Sequence, residues 1–91
     1  MRYKVHTTNE LGSLLRTLRV QQGMTQRDLA VVSGIGRQRI SEVESGKGGL
    51  RVASFIALLD ALDADLVVNE REQKDGHINL DDLLGLGDDD V

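Results

Sequence analysis

Positions 26–43 set two short apolar runs on either side of a glycine-bearing hinge, and this stretch restricts the fold more than any other. Thr25-Gln26-Arg27-Asp28 has the pattern of a helix start, a hydroxyl at the cap with an acid three residues on. Leu29, Ala30 and Val32 fall inside one short helix, and Ser33-Gly34 closes it. A second short helix is expected over residues 37–44, with Ile40 and Val43 on its inner face. Two such helices joined by so tight a turn must cross steeply. The crossing asks for a small residue where one helix passes the other, and a branched apolar residue to plug the shared core. The turn asks for a glycine, because its backbone takes positive φ. Ala30, Ile40 and Gly34 stand at those places, and Leu29, Ile35 and Val43 fill the remaining apolar slots.

The flanks supply further elements. Thr7 and Glu10 make another capping box, followed by Leu11, Leu14, Leu15 and Leu18 at helical spacing, with Arg16 and Arg19 facing away and Gly23 ending the helix. Ser45-Gly46-Lys47-Gly48-Gly49 is a loop. A further helix over residues 52–62 carries Val52, Phe55, Ile56, Leu58, Leu59 and Leu62, a stripe broad enough for a helix buried on much of its surface. Residues 65–70 are β-branched and bounded by charge, which predicts a short strand. A lone strand needs a partner for its backbone groups. The same strand of a second copy would serve, and so would residues 2–6 of the same chain, which alternate weakly as a short strand or ordered arm. The expected organisation is an arm at 1–8, a helical domain at 9–64, a dimerisation strand at 65–70 and an acidic, flexible tail at 71–91.

Charge at first argues against nucleic acid, since the 91 residues carry a net charge of −4. The distribution reverses that reading. Residues 1–59 hold nine Lys/Arg against four Asp/Glu, whereas residues 60–91 hold two against eleven. A basic binding face followed by an acidic tail accounts for the asymmetry. The absence of cysteine excludes disulfides and cysteine-ligated zinc, and the two histidines, His6 and His77, lie far apart. No phosphate loop, metal-ligand spacing or positioned acid/base set is present, so neither an enzyme nor a cofactor is expected. Asp81-Asp82 and Asp88-Asp89-Asp90 lack the fixed geometry of a cation site. No apolar run reaches the roughly 18 residues of a membrane span and no secretory leader opens the chain, so a cytoplasmic protein without membrane contact is expected.

Two short helices crossing in this way form a helix-turn-helix, whose second helix enters the major groove of DNA. Arg37, Gln38, Arg39 and Ser41 are the candidate base contacts. Arg can bind guanine O6 and N7, and Gln can bind adenine, each through two bonds. Gln26, Arg27, Lys47 and Arg51 stand at helix starts and in the loop, where phosphate contacts arise. Glu42 and Glu44 point against DNA contact, and Glu44 is expected to bond backbone or Arg19 inside the fold. One such helix reads only a few base pairs, so a dimer reading a palindromic operator, with half-sites about 34 Å apart, is expected. Leu66, Val67 and Val68, with the exposed part of the last helix, form the expected interface.

The run from Asn9 to Leu62 resembles the phage-repressor and Cro-like helix-turn-helix family, also called the XRE family. Arg19, Gly23-Met24-Thr25-Gln26, Leu29-Ala30, Ile40-Ser41 and Glu44-Ser45-Gly46 carry the likeness. The resemblance implies an all-α, five-helix lambda-repressor-like domain. Gly36 departs from it, since the family often has Ser at that N-cap; glycine costs only a few tenths of a kcal/mol there. Beyond the domain, the segment DADLVVNERE resembles the HipB-like antitoxins, in which a short C-terminal strand pairs across a dimer, and the leading RYKV fits them as well. That narrower resemblance implies a repressor that autoregulates its operon and binds a HipA-type serine/threonine-kinase toxin. The alternative is a stand-alone dimeric repressor, phage-type or metabolic, without a toxin. The acidic tail would be either a solubilising segment or a partner-binding one anchored by Leu83, Leu84 and Leu86.

Overall fold

A computed structural model describes residues 2–71 of the chain. Four helices follow one another: α1 (Thr8–Gln21), α2 (Gln26–Ser33), α3 (Arg37–Glu44) and α4 (Val52–Ala61). Their boundaries follow from local chemistry. The Thr7 hydroxyl accepts from the Glu10 amide at 3.0 Å, while the Glu10 carboxylate accepts from the Thr7 amide at 3.2 Å. Thr25 and Asp28 repeat this box at the start of α2, at 3.0 and 2.9 Å. The Thr25 backbone N–H, with help from its hydroxyl, holds the Asp28 carboxyl below the usual carboxylate range. α2 stops at Gly34, whose φ of 77° is a left-handed conformation that costs a residue without Cβ little. Gly36 then caps α3 in an extended conformation, with no side-chain hydrogen bond.

Helices of eight residues, such as α2 and α3, are not stable alone in water. They hold their shape through one shared core. Leu15 comes from α1, Leu29 from α2, Ile40 and Val43 from α3, and Leu58 and Leu59 from α4, with Leu62 just after it. Each such side chain contributes about 1.5–3 kcal/mol when fully buried. α3 packs against α1 and α2, and α4 packs against α2. Ala30 and Ile35 are partly buried against the same cluster, at the places the crossing demands.

The crossing of α1 and α3 depends on a residue that apolar periodicity does not single out. Gly12 is buried on α1, and a Cβ there would run into the Val43 carbonyl oxygen, with the Glu44 carbonyl oxygen next at 3.1 Å. The two backbones meet directly, and only hydrogen fits between them.

Three expectations change. Arg19 does not face away from the core side of α1; it is 9% exposed and ion-paired with Glu44. The α4 stripe is buried only in part, since Leu58 and Leu59 are covered while Val52 and Ile56 are 75% and 46% exposed. α4 packs against α2 and the shared core. Residues 64–71 form neither helix nor strand, and no strand occurs among the described residues. Residues 2–6 therefore do not pair with them in a ladder. The two segments meet instead where the Arg71 guanidinium approaches His6 Nδ1 at 3.1 Å. The chain leaves α4 through Asp63, at a φ of 56°, with Ala64 N–H bonded to the Leu59 carbonyl at 2.9 Å. Four helices stand among the described residues where five were expected, and the run around Ile78 and the tail lie outside those residues. No described helix is long and apolar enough to cross a membrane.

The contact at Gly12 has a measurable consequence. Alanine is the better helix former by about 1 kcal/mol. Gly12→Ala should nevertheless destabilise the protein by about 1–3 kcal/mol, because the backbone of α3 must move to admit the methyl group. Urea denaturation followed by circular dichroism measures this, and an unchanged or raised midpoint would refute so close an approach.

Candidate nucleic-acid interface

α3 presents two unlike sides. Ile40 and Val43 are 1% and 6% exposed and point into the core, and the Glu44 side chain turns in beside them. At 3.6 residues per turn, Gln38 and Glu42 lie on the line opposite that inner side, with Ser41 on one flank and Arg39 on the other. Arg37, Gln38 and Arg39 are exposed, and Ser41 and Glu42 are half-buried. The four expected base-contact residues thus share one short helix, and none of them lies in the core.

Three of the expected phosphate contacts are exposed on the elements before and after this helix. Arg27 is exposed in the first turn of α2, Lys47 is exposed in the α3–α4 loop, and Arg51 is exposed as the N-cap of α4. The Lys47 backbone N–H donates to the Glu42 carbonyl at 2.8 Å, which seats the loop against the end of α3. Gln26 differs from these. It is half-buried, and its Nε2 donates to Glu44 Oε1 at 3.1 Å, so that donor is committed inside the fold. Arg39 is also engaged: its Nη1 lies 3.3 Å from Glu42 Oε1, and the guanidinium passes over Gly48.

A buried charge pair orients α3. Arg19 Nε donates to Glu44 Oε2 at 2.7 Å and Nη2 donates to Oε1 at 2.9 Å, a two-pronged bridge. Nη1 donates to the Met24 carbonyl at 2.8 Å. The bonds to Glu44 hold Arg19 above its ordinary pKa against the opposing effect of burial. Arg19 belongs to α1, Met24 to the following turn, Gln26 to α2 and Glu44 to α3, so one network joins α3 to the two helices before it. Glu44 thus has the expected partner in Arg19. The share taken by Gln26 could not be read from spacing, because the two residues lie 18 positions apart.

Known proteins share this fold. A family model described as a helix-turn-helix domain matches residues 10–73. An uncharacterized HTH-type transcriptional regulator of Sinorhizobium fredii, y4mF, is 31% identical over 62 residues, which cover 68% of this chain and 82% of that protein. The restriction-modification controller protein C.AhdI from Aeromonas hydrophila is 33% identical, covers 64% of this chain and 88% of its own, and superposes with a TM-score of 0.62. HipB, in a HipA-HipB-O2-O3 complex, superposes with a TM-score of 0.70 over 78% of this chain and all of its own, at 24% identity, a likeness of fold. The chain belongs to the helix-turn-helix domain family and is a DNA-binding transcriptional regulator of that type.

Glu44→Ala should cost about 3 kcal/mol of stability, because it leaves the Arg19 guanidinium buried without its counter-charge. Gln26→Ala removes one hydrogen bond from the same network and should cost about 1 kcal/mol. Chemical denaturation of both variants tests the ranking, and equal losses would contradict it.

Proposed function

We propose that this protein is a dimeric, autoregulating repressor of the HipB-like antitoxin kind, which binds a palindromic operator in the cytoplasm and pairs with a HipA-type serine/threonine-kinase toxin. The observation that carries the DNA part is the outward side of α3, where Arg37, Gln38 and Arg39 stand exposed while Arg19 and Glu44 anchor the helix from behind. Arg37 and Gln38 read base edges, with Arg39 and Ser41 as further base contacts. Arg27, Lys47 and Arg51 hold phosphates from three neighbouring elements, and Gln26 reaches the backbone at the start of α2 when its bond to Glu44 yields. Dimerisation through residues 65–70 is supported by the exposure of Leu66, Val67 and Val68, at 54%, 66% and 87%. Apolar side chains so open, on a segment of strand-forming sequence, suit a second copy. The acidic stretch from residue 71 onward then serves the toxin contact.

The antitoxin reading draws support from the resemblance after residue 64 and from the fold shared with HipB, which stands with HipA in one complex. A stand-alone dimeric repressor is the second reading, and the higher identity to the restriction-modification controller C.AhdI favours it. Two measurements decide. Selection from randomised duplex DNA should yield a palindromic site, and Arg37→Ala with Gln38→Ala should abolish the preference while sedimentation still shows a folded dimer. An unchanged site would remove both residues from base reading. Purification from the native host should bring a companion whose serine/threonine-kinase activity this protein suppresses; a homodimer with no such companion would establish the stand-alone regulator.

A further inference from the structure

Glu42, like Glu44, is dismissed as a DNA contact by its charge, yet with Gln38 it lies farthest from the inward-turned Ile40, Val43 and Glu44. A helix that enters the groove with its core side turned away presents this line to the base pairs. The Glu42 side chain is 43% exposed, and it is not a partner in the buried Arg19–Glu44 bridge. Its backbone is held firmly, because its carbonyl accepts from the Ser45 hydroxyl at 2.9 Å and from the Lys47 amide at 2.8 Å.

An ionised carboxylate only accepts hydrogen bonds. The floor of the major groove is mostly acceptors, and its donors are the amino groups of cytosine and adenine alone. Adenine sets its amino group beside the N7 acceptor, which repels the second carboxylate oxygen and suits an amide instead. Cytosine offers its N4 amino group with no acceptor of its own beside it in the groove. A carboxylate on this line therefore either finds a cytosine or opposes binding at every sequence. Arg39 lessens the second effect: its Nη1 lies 3.3 Å from Glu42 Oε1, so the acid arrives at the phosphates already partly neutralised and held in orientation.

Resting on the reading of α3 as the base-reading helix, we infer that Glu42 is a specificity-determining residue that accepts from the N4 amino group of a cytosine, with Arg39 as its positioning residue. The test is selection from randomised duplex DNA with the full chain and with Glu42→Gln, Glu42→Ala and Arg39→Ala, each checked for an unchanged thermal transition. The parent protein should prefer cytosine at one position in each half-site. Glu42→Ala should reduce that preference by roughly fivefold to tenfold and leave the other positions alone. Glu42→Gln should move the same position toward adenine, and Arg39→Ala should weaken the cytosine preference there. Two results would overturn the inference alone: variants that raise affinity equally for all sequences, which would make Glu42 only a repelling charge, or a selected site that changes with Arg37 and Gln38 but not with Glu42. A parent protein that selects no sequence would overturn the base-reading role of α3 together with this one.

Discussion

The Arg19 guanidinium lies inside the domain, bridged through two bonds to Glu44 and through a third to the Met24 carbonyl. Everything else about α3 depends on that arrangement. Apolar packing is non-directional, and Ile40 and Val43 by themselves would tolerate some rotation of so short a helix. A paired charge with fixed bond directions would not, because each lost bond strands a buried polar group. The pair adds little net stability over an apolar contact of the same size. Its contribution is orientation, since it ties the end of α3 to α1 and to the turn before α2 and so holds the rotation that Ile40 and Val43 favour.

That orientation explains how an acidic chain presents a DNA-binding surface. The excess of acid belongs to the residues after position 59, whereas the exposed side of α3 and its borders hold Arg37, Arg39, Arg27, Lys47 and Arg51. Phosphate attraction is local, screened over about 8 Å at physiological salt. The net charge of the whole chain is thus a poor guide to what the face of one helix meets. Glu42 interrupts this basic surface, and its pairing with Arg39 offsets the negative charge there.

A second surface is defined by the apolar side chains that stand exposed among the described residues. Val52 and Ile56 on α4, together with Leu66, Val67 and Val68, are apolar and exposed. The α4 stripe is broadly apolar, and among the described residues Leu58, Leu59 and the neighbouring Leu62 are covered fully and Phe55 in part. Periodicity reports that a face is apolar and is silent on whether the same chain or another molecule covers it.

Local chemistry makes much of this protein legible in its amino-acid sequence. The capping boxes at Thr7 and Thr25, the left-handed Gly34 and the three apolar positions of α3 and its turn act within a few residues of chain, so their spacing determines the helix starts, the stop of α2 and the packing of α2 against α3. The residues of the outward face of α3 follow from the same periodicity. The tertiary structure decided what depends on distant partners. It turned Arg19 inward, committed Gln26 to Glu44, and made Gly12 the point where two backbones touch. It also formed no strand at residues 65–70 among the described residues. A strand pattern states a preference for extended backbone, whereas a strand exists only where another segment supplies the opposing hydrogen bonds, and that depends on what lies beside it in space.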